Sequence, residues 1–290
     1  MELNHVTDAA SWGDLVAPAP LGQSWAYGAA AERLGARVHR FAVQDGGRPI
    51  GAVQCTERRL GPLRFLYSPN GVWQGDDAVL RAIIAGFSKP TICVAPASSG
   101  LRLGTTPEIA ICDPSAPRPK PWRNAVARAE RSGLCIMDHG GCPDWLWRGQ
   151  VRQARARRYM GLPRRWLIAM ERATPGTVRS LAAYQGGDPV AGITMLRHGR
   201  RWTYQIGWTS AEGRRLGAHN LLLDIAMRRA AEAGVQVFDL GMAPTSMPGL
   251  RRFKQSCGAL IEPARVVRLV RRDRRAPSVQ VPRTPLLTDR

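Results

Sequence analysis

Short apolar runs, each closed by glycine, proline or asparagine, set the rhythm of the first hundred residues. Gln23 to Leu34 is alanine-rich, interrupted only by Gly28, and predicts a short helix closed by Gly35. Val38 to Val43 and Pro49 to Glu57 flank Gly46-Gly47 and predict a hairpin. Leu63 to Ser68 is a third strand, ended by the turn Pro69-Asn70-Gly71. Asp76 and Asp77 open a helix through Ala78 to Phe87, because carboxylates favour its positive end, and Thr91 to Pro96 is a further strand.

Proline then breaks the pattern from Pro114 to Pro121. Trp122 to Ser132 predicts a basic helix stopped by Gly133, Leu134 to His139 a strand, and Asp144 to Met160 a second basic helix. Its arginines, Arg148, Arg152, Arg155, Arg157 and Arg158, do not share one face and read mostly as a solvated connecting helix.

From Val178 the opening pattern returns. VHRFAVQDGGRPIG at Val38 aligns with VRSLAAYQGGDPVAG at Val178, 140 residues on (178 − 38), and the same shift carries Gly46 onto Gly186 and Pro49 onto Pro189. The flanking strands and the order of the next elements match too, which predicts a duplicated α/β unit rather than a chance hairpin. The second copy continues as strand 201–210, a Gly/Arg loop, a helix from His219 to Ala233 and a strand from Val235 to Leu240. Leu222, Ile225, Ala226, Ala230 and Ala233 form the helix's core stripe, and Gly234 ends it. The first copy has a shorter helix and no Gly/Arg loop, which assigns the chemistry to the second.

Composition narrows the classes. A chain of 290 residues with 44% hydrophobic residues has ample core. No apolar run approaches the roughly 20 residues of a membrane span, and the N-terminus lacks the basic cap and apolar core of a signal peptide, so a soluble cytoplasmic protein is expected. Six cysteines without CxxC spacing or a nearby histidine pair predict reduced thiols, no disulfide and no metal. The net charge of +20 calls for an anionic partner, such as tRNA, anionic lipid or a phosphate-bearing substrate, or is in part solvated arginine.

Candidate chemistry lies between Arg201 and Gly258. The loop Arg214-Arg215-Leu216-Gly217-Ala218 precedes a helix start, where glycine permits close approach and arginine neutralises phosphate; the alternative is a surface loop. Asp239 ends a buried strand, where it either takes a proton or hydrogen-bonds the next loop. In GLRRFKQSCG, Lys254 is aimed at a developing oxyanion or a donor phosphate, and Phe253 shields the site or anchors a surface turn, with Arg251 and Arg252 beside them. Tyr204 and Trp208 on the preceding strand are expected to line an acyl channel, with Arg252 near the substrate.

These segments resemble known families. Arg214 to His219 is similar to the R-x-x-G-x-G/A loop with which GNAT acetyltransferases hold the coenzyme A pyrophosphate, with His219 standing where its side chain would crowd a phosphate. FDLG at 238–241 followed by LRRFKQSCG at 250–258 resembles the FDxG…GLxxFKxxFG signature of the FemAB family. RNAVARAERSGL at 123–134 and AAYQGGDPVAGITMLRHG at 182–199 resemble that family's basic helix and central hairpin. Cys257 replaces the usual aromatic, and no long coiled-coil arm is present. FemAB proteins are paired GNAT-like transferases that add amino acids from aminoacyl-tRNA to peptidoglycan precursors. The resemblance implies an α/β fold of two tandem GNAT-like units with mixed sheets flanked by helices. It also places Phe253 and Lys254 at the acyl-transfer centre, with Asp239 as the strand aspartate.

The expected organisation is an N-terminal degenerate unit at 1–121, a basic helical connector at 122–176, a catalytic unit at 177–270 and a flexible basic tail at 271–290. The expected activity is transfer of an acyl or aminoacyl group from acyl-CoA or aminoacyl-tRNA to an amine of a small molecule or cell-envelope precursor. In it Lys254, Asp239 and Phe253 serve the chemistry and Arg214, Arg215, Gly217 and Ala218 bind the donor. Peripheral membrane contact is compatible with the charge. The competing expectation is a non-catalytic, basic nucleic-acid-binding module.

Overall fold

Two glycine pairs turn the chain where the pattern predicts. Gly46 and Gly47 (φ 54° and 79°), like Gly186 and Gly187 (58° and 92°), take the left-handed conformations that a two-residue hairpin requires. In both hairpins the register slips at the same place. Pro49 faces Gln44 and Gly51 faces Val43, leaving Ile50 extra; Pro189 faces Tyr184 and Ala191 faces Ala183, leaving Val190 extra. Bulges are positional features of a fold, so a shared bulge at the same 140-residue offset supports the duplication better than the sequence match alone.

The computed structural model describes residues 2–61, 63–75, 77–86 and 91–271. It divides into two units, Met1–Thr106 with Ala264–Arg290, and Pro107–Pro263. Unit 1 begins with β1 (Glu2–His5), α1 (Ala9–Val16), α2 (Trp25–Arg33), β2 (Arg37–Asp45), β3 (Arg48–Leu60) and β4 (Leu63–Tyr67). It continues with α3 (Asp77–Gly86), β5 (Thr91–Pro96) and β6 (Leu101–Arg102). Unit 2 comprises β7 (Glu108–Cys112), α4 (Lys120–Glu130), β8 (Cys135–Gly140), α5 (Asp144–Arg157), α6 (Arg164–Ala173), β9 (Val178–Gln185) and β10 (Asp188–His198). Then come β11 (Arg201–Thr209), α7 (Ala211–Leu216), α8 (Ala218–Glu232), β12 (Val237–Met242), α9 (Pro248–Ser256) and β13 (Leu260–Pro263). The chain then returns to unit 1 as β14 (Val267–Arg271).

Each unit carries a seven-stranded mixed sheet, ordered β1-β2-β3-β4-β5-β14-β6 in one and β8-β9-β10-β11-β12-β7-β13 in the other. The sixth strand of unit 1 comes from far along the chain. β14 pairs antiparallel with β5 and β6, and β7 takes the matching place between β12 and β13. The boundaries expected from the sequence are corrected accordingly. The first falls at 106/107 rather than 121/122. The stretch 122–176 is no connector: β8 pairs with β9, and α4 packs on α8, where the Trp122 indole donates to Asp224 at 3.0 Å. Residues 264–271 belong with unit 1. Asp76, Phe87 and the tail from 272 lie outside the described residues.

Burial follows from these layers. In unit 1, Phe41, Val43, Val53, Cys55 and Leu66 of the sheet pack with Ile83 and Ile84 of α3. In unit 2, Ile193, Met195, Trp202 and Phe238 pack with Trp122 and Val126 of α4 and Leu222 and Ala226 of α8. Gly192 of β10 makes room for α5 on the opposite face: a Cβ there would stand 2.6 Å from Trp145 and 3.1 Å from Leu146. Among the described residues α3 spans 10 positions, and α8 spans 15.

Candidate active site

β11 and β12 run parallel but pair only from Arg201–Val237 to Thr203–Asp239. Beyond that point both bend. β11 bulges at Gln205, where Thr194 faces Ile206 and Met195 faces Tyr204, and β12 bulges at Leu240, beside Gly241 with φ 74°. A bulge disrupts the ladder and bends its strand, so the two strands part toward their C-terminal ends. There lies a cavity of about 610 Å³, lined by Tyr204 and Gly207 of β11, Arg214, Gly217, His219 and Asn220 around the start of α8, and Leu250 and Phe253 of α9. Gln153 and Arg157 of α5 and the segment 246–249 complete its wall.

Inside the cavity Tyr204 Oη and His219 Nε2 are 3.0 Å apart. The pair exists because Gly207 has no side chain: a Cβ there would lie 1.6 Å from Tyr204 Oη and 2.8 Å from His219 Cε1. Phe253 meets the imidazole edge-on with ring centroids 5.4 Å apart. Burial lowers the His219 pKa to about 4, opposed by the backbone of Trp208, and burial followed by the neighbouring Tyr159 raises that of Tyr204. Both side chains are therefore neutral near pH 7, able to exchange a hydrogen bond or relay a proton without first shedding a charge.

The outer end of the cavity is a helix start. Ser210 caps α7 by accepting from Gly213 N at 2.9 Å. Gly217, left-handed at φ 71°, ends α7 and begins α8 without offering a capping side chain. The first amides of α8 are thus left to a ligand or solvent, at the positive end of its dipole. Arg214 lines the cavity and is steadied by donation to Thr209 O at 3.0 Å. The His219 ring points inward to Tyr204 and Phe253, so it does not crowd this end as the sequence pattern suggested.

Other expected residues sit elsewhere. Arg215 pairs with Glu212 on the exposed face of α7, and Arg252 is exposed. Ala218 is core, so it can contribute only its backbone. Trp208 was expected beside Tyr204. The extra residue at Gln205 shifts the alternation of β11, turning Trp208 to the opposite face against Gly149 and Trp145. Asp239 is not a free base. Its Oδ2 accepts from Arg201 at 2.6 and 3.2 Å and its Oδ1 from Gly241 N at 2.8 Å, so it neutralises a buried arginine and fixes the bulge. Lys254 is 4% exposed and donates to Met242 O at 2.6 Å, beneath the end of β12 and outside the cavity lining. Burial lowers its pKa to about 8, opposed by Asp239 and then Cys257. Arg251 pairs with Glu108 at 2.7 Å and ties α9 to β7.

Sequence reading missed Gly207, Gln153, Arg157, Asn220 and the 246–249 segment, and saw His219 only as an obstacle. Gly207 carried a signal, since a glycine inside a strand marks close approach. Among the described residues no group of three or more His, Cys, Asp or Glu is placed to hold a metal ion, and no helix is long and apolar enough to cross a membrane.

Residues 140–255 match the family described as acetyltransferase (GNAT) domain. Among solved structures the chain is similar to FemX, with a TM-score of 0.70 and 13% identity, covering 91% of this chain and 96% of that one. It is also similar to the C-terminal domain of a putative lysylphosphatidylglycerol synthetase from Agrobacterium fabrum, with a TM-score of 0.54 and 18% identity over 90% and 92% of the two chains. A tandem GNAT protein from the clavulanic acid biosynthesis pathway gives a TM-score of 0.50 and 14% identity over 93% and 98%. No curated protein matches in sequence. Identities this low speak for the fold, while the family match falls on the elements that build the cavity. Residues 140–255 thus carry an acetyltransferase-type GNAT domain, within a chain that shares its fold with FemX.

Proposed function

We propose that unit 2 is an N-acyltransferase that moves an acyl group from a coenzyme A thioester to a primary amine. The observation that carries this reading is the parting of β11 and β12, with the uncapped start of α8 at one end of the gap and the neutral Tyr204–His219 pair inside it. Donor phosphate binds the first amides of α8 beside Gly217 and Arg214, and the acyl arm runs between the strands. The amine nitrogen attacks the thioester carbonyl carbon, a C–N bond forms and the C–S bond breaks. Tyr204, held by His219, takes up the proton leaving the nitrogen and passes one to the departing thiolate. Phe253 keeps water from the reacting atoms. Lys254 and Asp239 act as positioning residues, one holding the Met242 carbonyl and the other the bend at Gly241.

An aminoacyl-tRNA donor is the second reading, favoured by the net charge of +20. Thermal denaturation of the full chain separates the two. A thioester that binds the folded state raises the Tm in step with ln(1 + [L]/Kd). Arg214→Ala should weaken that binding about tenfold, the scale of one charge-assisted contact, whereas Arg215→Ala should leave it unchanged, since Arg215 is committed to Glu212 outside the cavity. A shift with aminoacyl-tRNA alone would replace the donor. A salt-sensitive shift with uncharged RNA and none with either donor would end the transferase reading.

A further inference from the structure

A second cavity in unit 2, of about 420 Å³, lies against the other face of β11. The two cavities share a wall. The bulge that turns Tyr204 into the first puts Gln205 and Ile206 into the second. Gln153, which lines the first, donates from Nε2 to Tyr159 Oη of the second at 3.2 Å and to Gly207 O of the first at 3.3 Å. A molecule held in the second cavity is therefore one strand away from the Tyr204–His219 pair, on the face opposite α8.

Its lining divides by chemistry. Trp147, Val151, Leu162, Pro163 and Ile206 give apolar walls. Arg155 and Arg158 stand at the exposed rim, and neither has an acidic partner among the described residues. Arg158 holds an uncommon posture: it closes α5 in the left-handed conformation at φ 53°, a place glycine fills without steric cost. That posture sets a guanidinium at the mouth of an apolar cavity. The volume lies at the small end of the roughly 300–1,000 Å³ of small-molecule sites, too small for a membrane lipid or a nucleic acid.

We infer that this cavity binds the acceptor, and that the acceptor is an α-amino acid with an apolar side chain. Its carboxylate meets Arg155 and Arg158, its side chain lies on the apolar walls, and its amino group points toward Gln205 and the gap between the strands. This rests on the transferase reading above and adds the substrate class to it.

Calorimetric titration of the full chain with L-phenylalanine, phenethylamine and glycine, and separately with coenzyme A, tests it. Phenylalanine should bind at least about tenfold more tightly than phenethylamine, which lacks the carboxylate, or glycine, which lacks the apolar group. Arg158→Gly keeps the turn and removes the guanidinium. It should weaken phenylalanine about tenfold while leaving phenethylamine and coenzyme A unchanged. Equal binding of phenylalanine and phenethylamine, or an Arg158→Gly variant that binds phenylalanine like the parent, would overturn the assignment. Coenzyme A binding without phenylalanine binding would overturn it too and leave the transferase reading standing. Phenylalanine binding with no donor binding would remove the acceptor role by removing the transferase.

Discussion

In unit 1 the parallel strands β4 and β5 stay paired from Arg64–Thr91 to Tyr67–Val94, and Ser68 N still reaches Val94 O at 3.0 Å. In unit 2 the corresponding strands β11 and β12 part after three pairs. The sheets otherwise share their strand order and their hairpin bulge. Nearby polar groups differ as well. In unit 1, Gln23 Nε2 donates to Ser68 Oγ and Gly71 O, and Gln54 Nε2 to Gly22 O and Ser24 O, so these amides are spent within the protein. In unit 2 the polar groups around the gap, Arg214, Asn220 and the first amides of α8, face a cavity. The comparison teaches that one topology gives a closed sheet or an open site according to two inserted residues, Gln205 and Leu240, and one omitted side chain, at Gly207.

The comparison can be broken first at the last paired rung. Asp239→Asn leaves the Arg201 guanidinium buried without its counter-charge, which should cost about 3–5 kcal/mol of stability. Urea denaturation reads this as a lower midpoint; a loss below about 1 kcal/mol would mean that the ion pair does not hold the strands together where they begin to part. A smaller effect on stability, but a large one on activity, is expected from closing the gap. Gly207→Ala drives a methyl into Tyr204 and should lower acyl transfer about 100-fold at a stability cost of about 1–3 kcal/mol. Tyr67→Ala, at the end of the closed pair in unit 1, should leave transfer unchanged; equal losses in the two variants would void the contrast.

The mildest test uses pH. With the Lys254 pKa lowered to about 8 from its ordinary 10.5, the unfolded chain holds a proton across that window that the folded chain has released. The parent should therefore gain stability relative to Lys254→Met as pH rises through this window, by up to about 3 kcal/mol. Below pH 8 the cost of the buried ammonium is present in full. Urea midpoints measured across the window check this, and a constant difference between the two proteins would show that the ammonium is not buried as described.

Much of this architecture was legible from local signals. The GlyGly turns, the offset of 140 residues and the amphipathic helix before FDLG announced the duplicated units and located the working half. Long-range pairing left no such mark. Nothing in Val267–Arg271 says that it completes a sheet begun at Glu2, and nothing in Glu108–Cys112 says that it lies beside β12. Within the site, the Gly217 loop was readable because helix starts and glycine have fixed meanings. Trp208 was misplaced, and Asp239 left between two readings, for a different reason. A carboxylate's partner, here Arg201, is set by register across strands, and one bulged residue at Gln205 reverses every face after it. Lys254 shows the same limit: its spacing is visible, but not the carbonyl that accepts its hydrogen bond.

The return of β14 has a consequence for how the molecule is made. Unit 2 is contiguous, and all seven of its strands have been synthesised once the chain reaches Pro263. Unit 1 must wait, holding the open edge of β5 unpaired through the translation of the whole second unit, until Val267–Arg271 emerges to cover it. Of the two units, the one whose synthesis starts earlier is thus the one completed later.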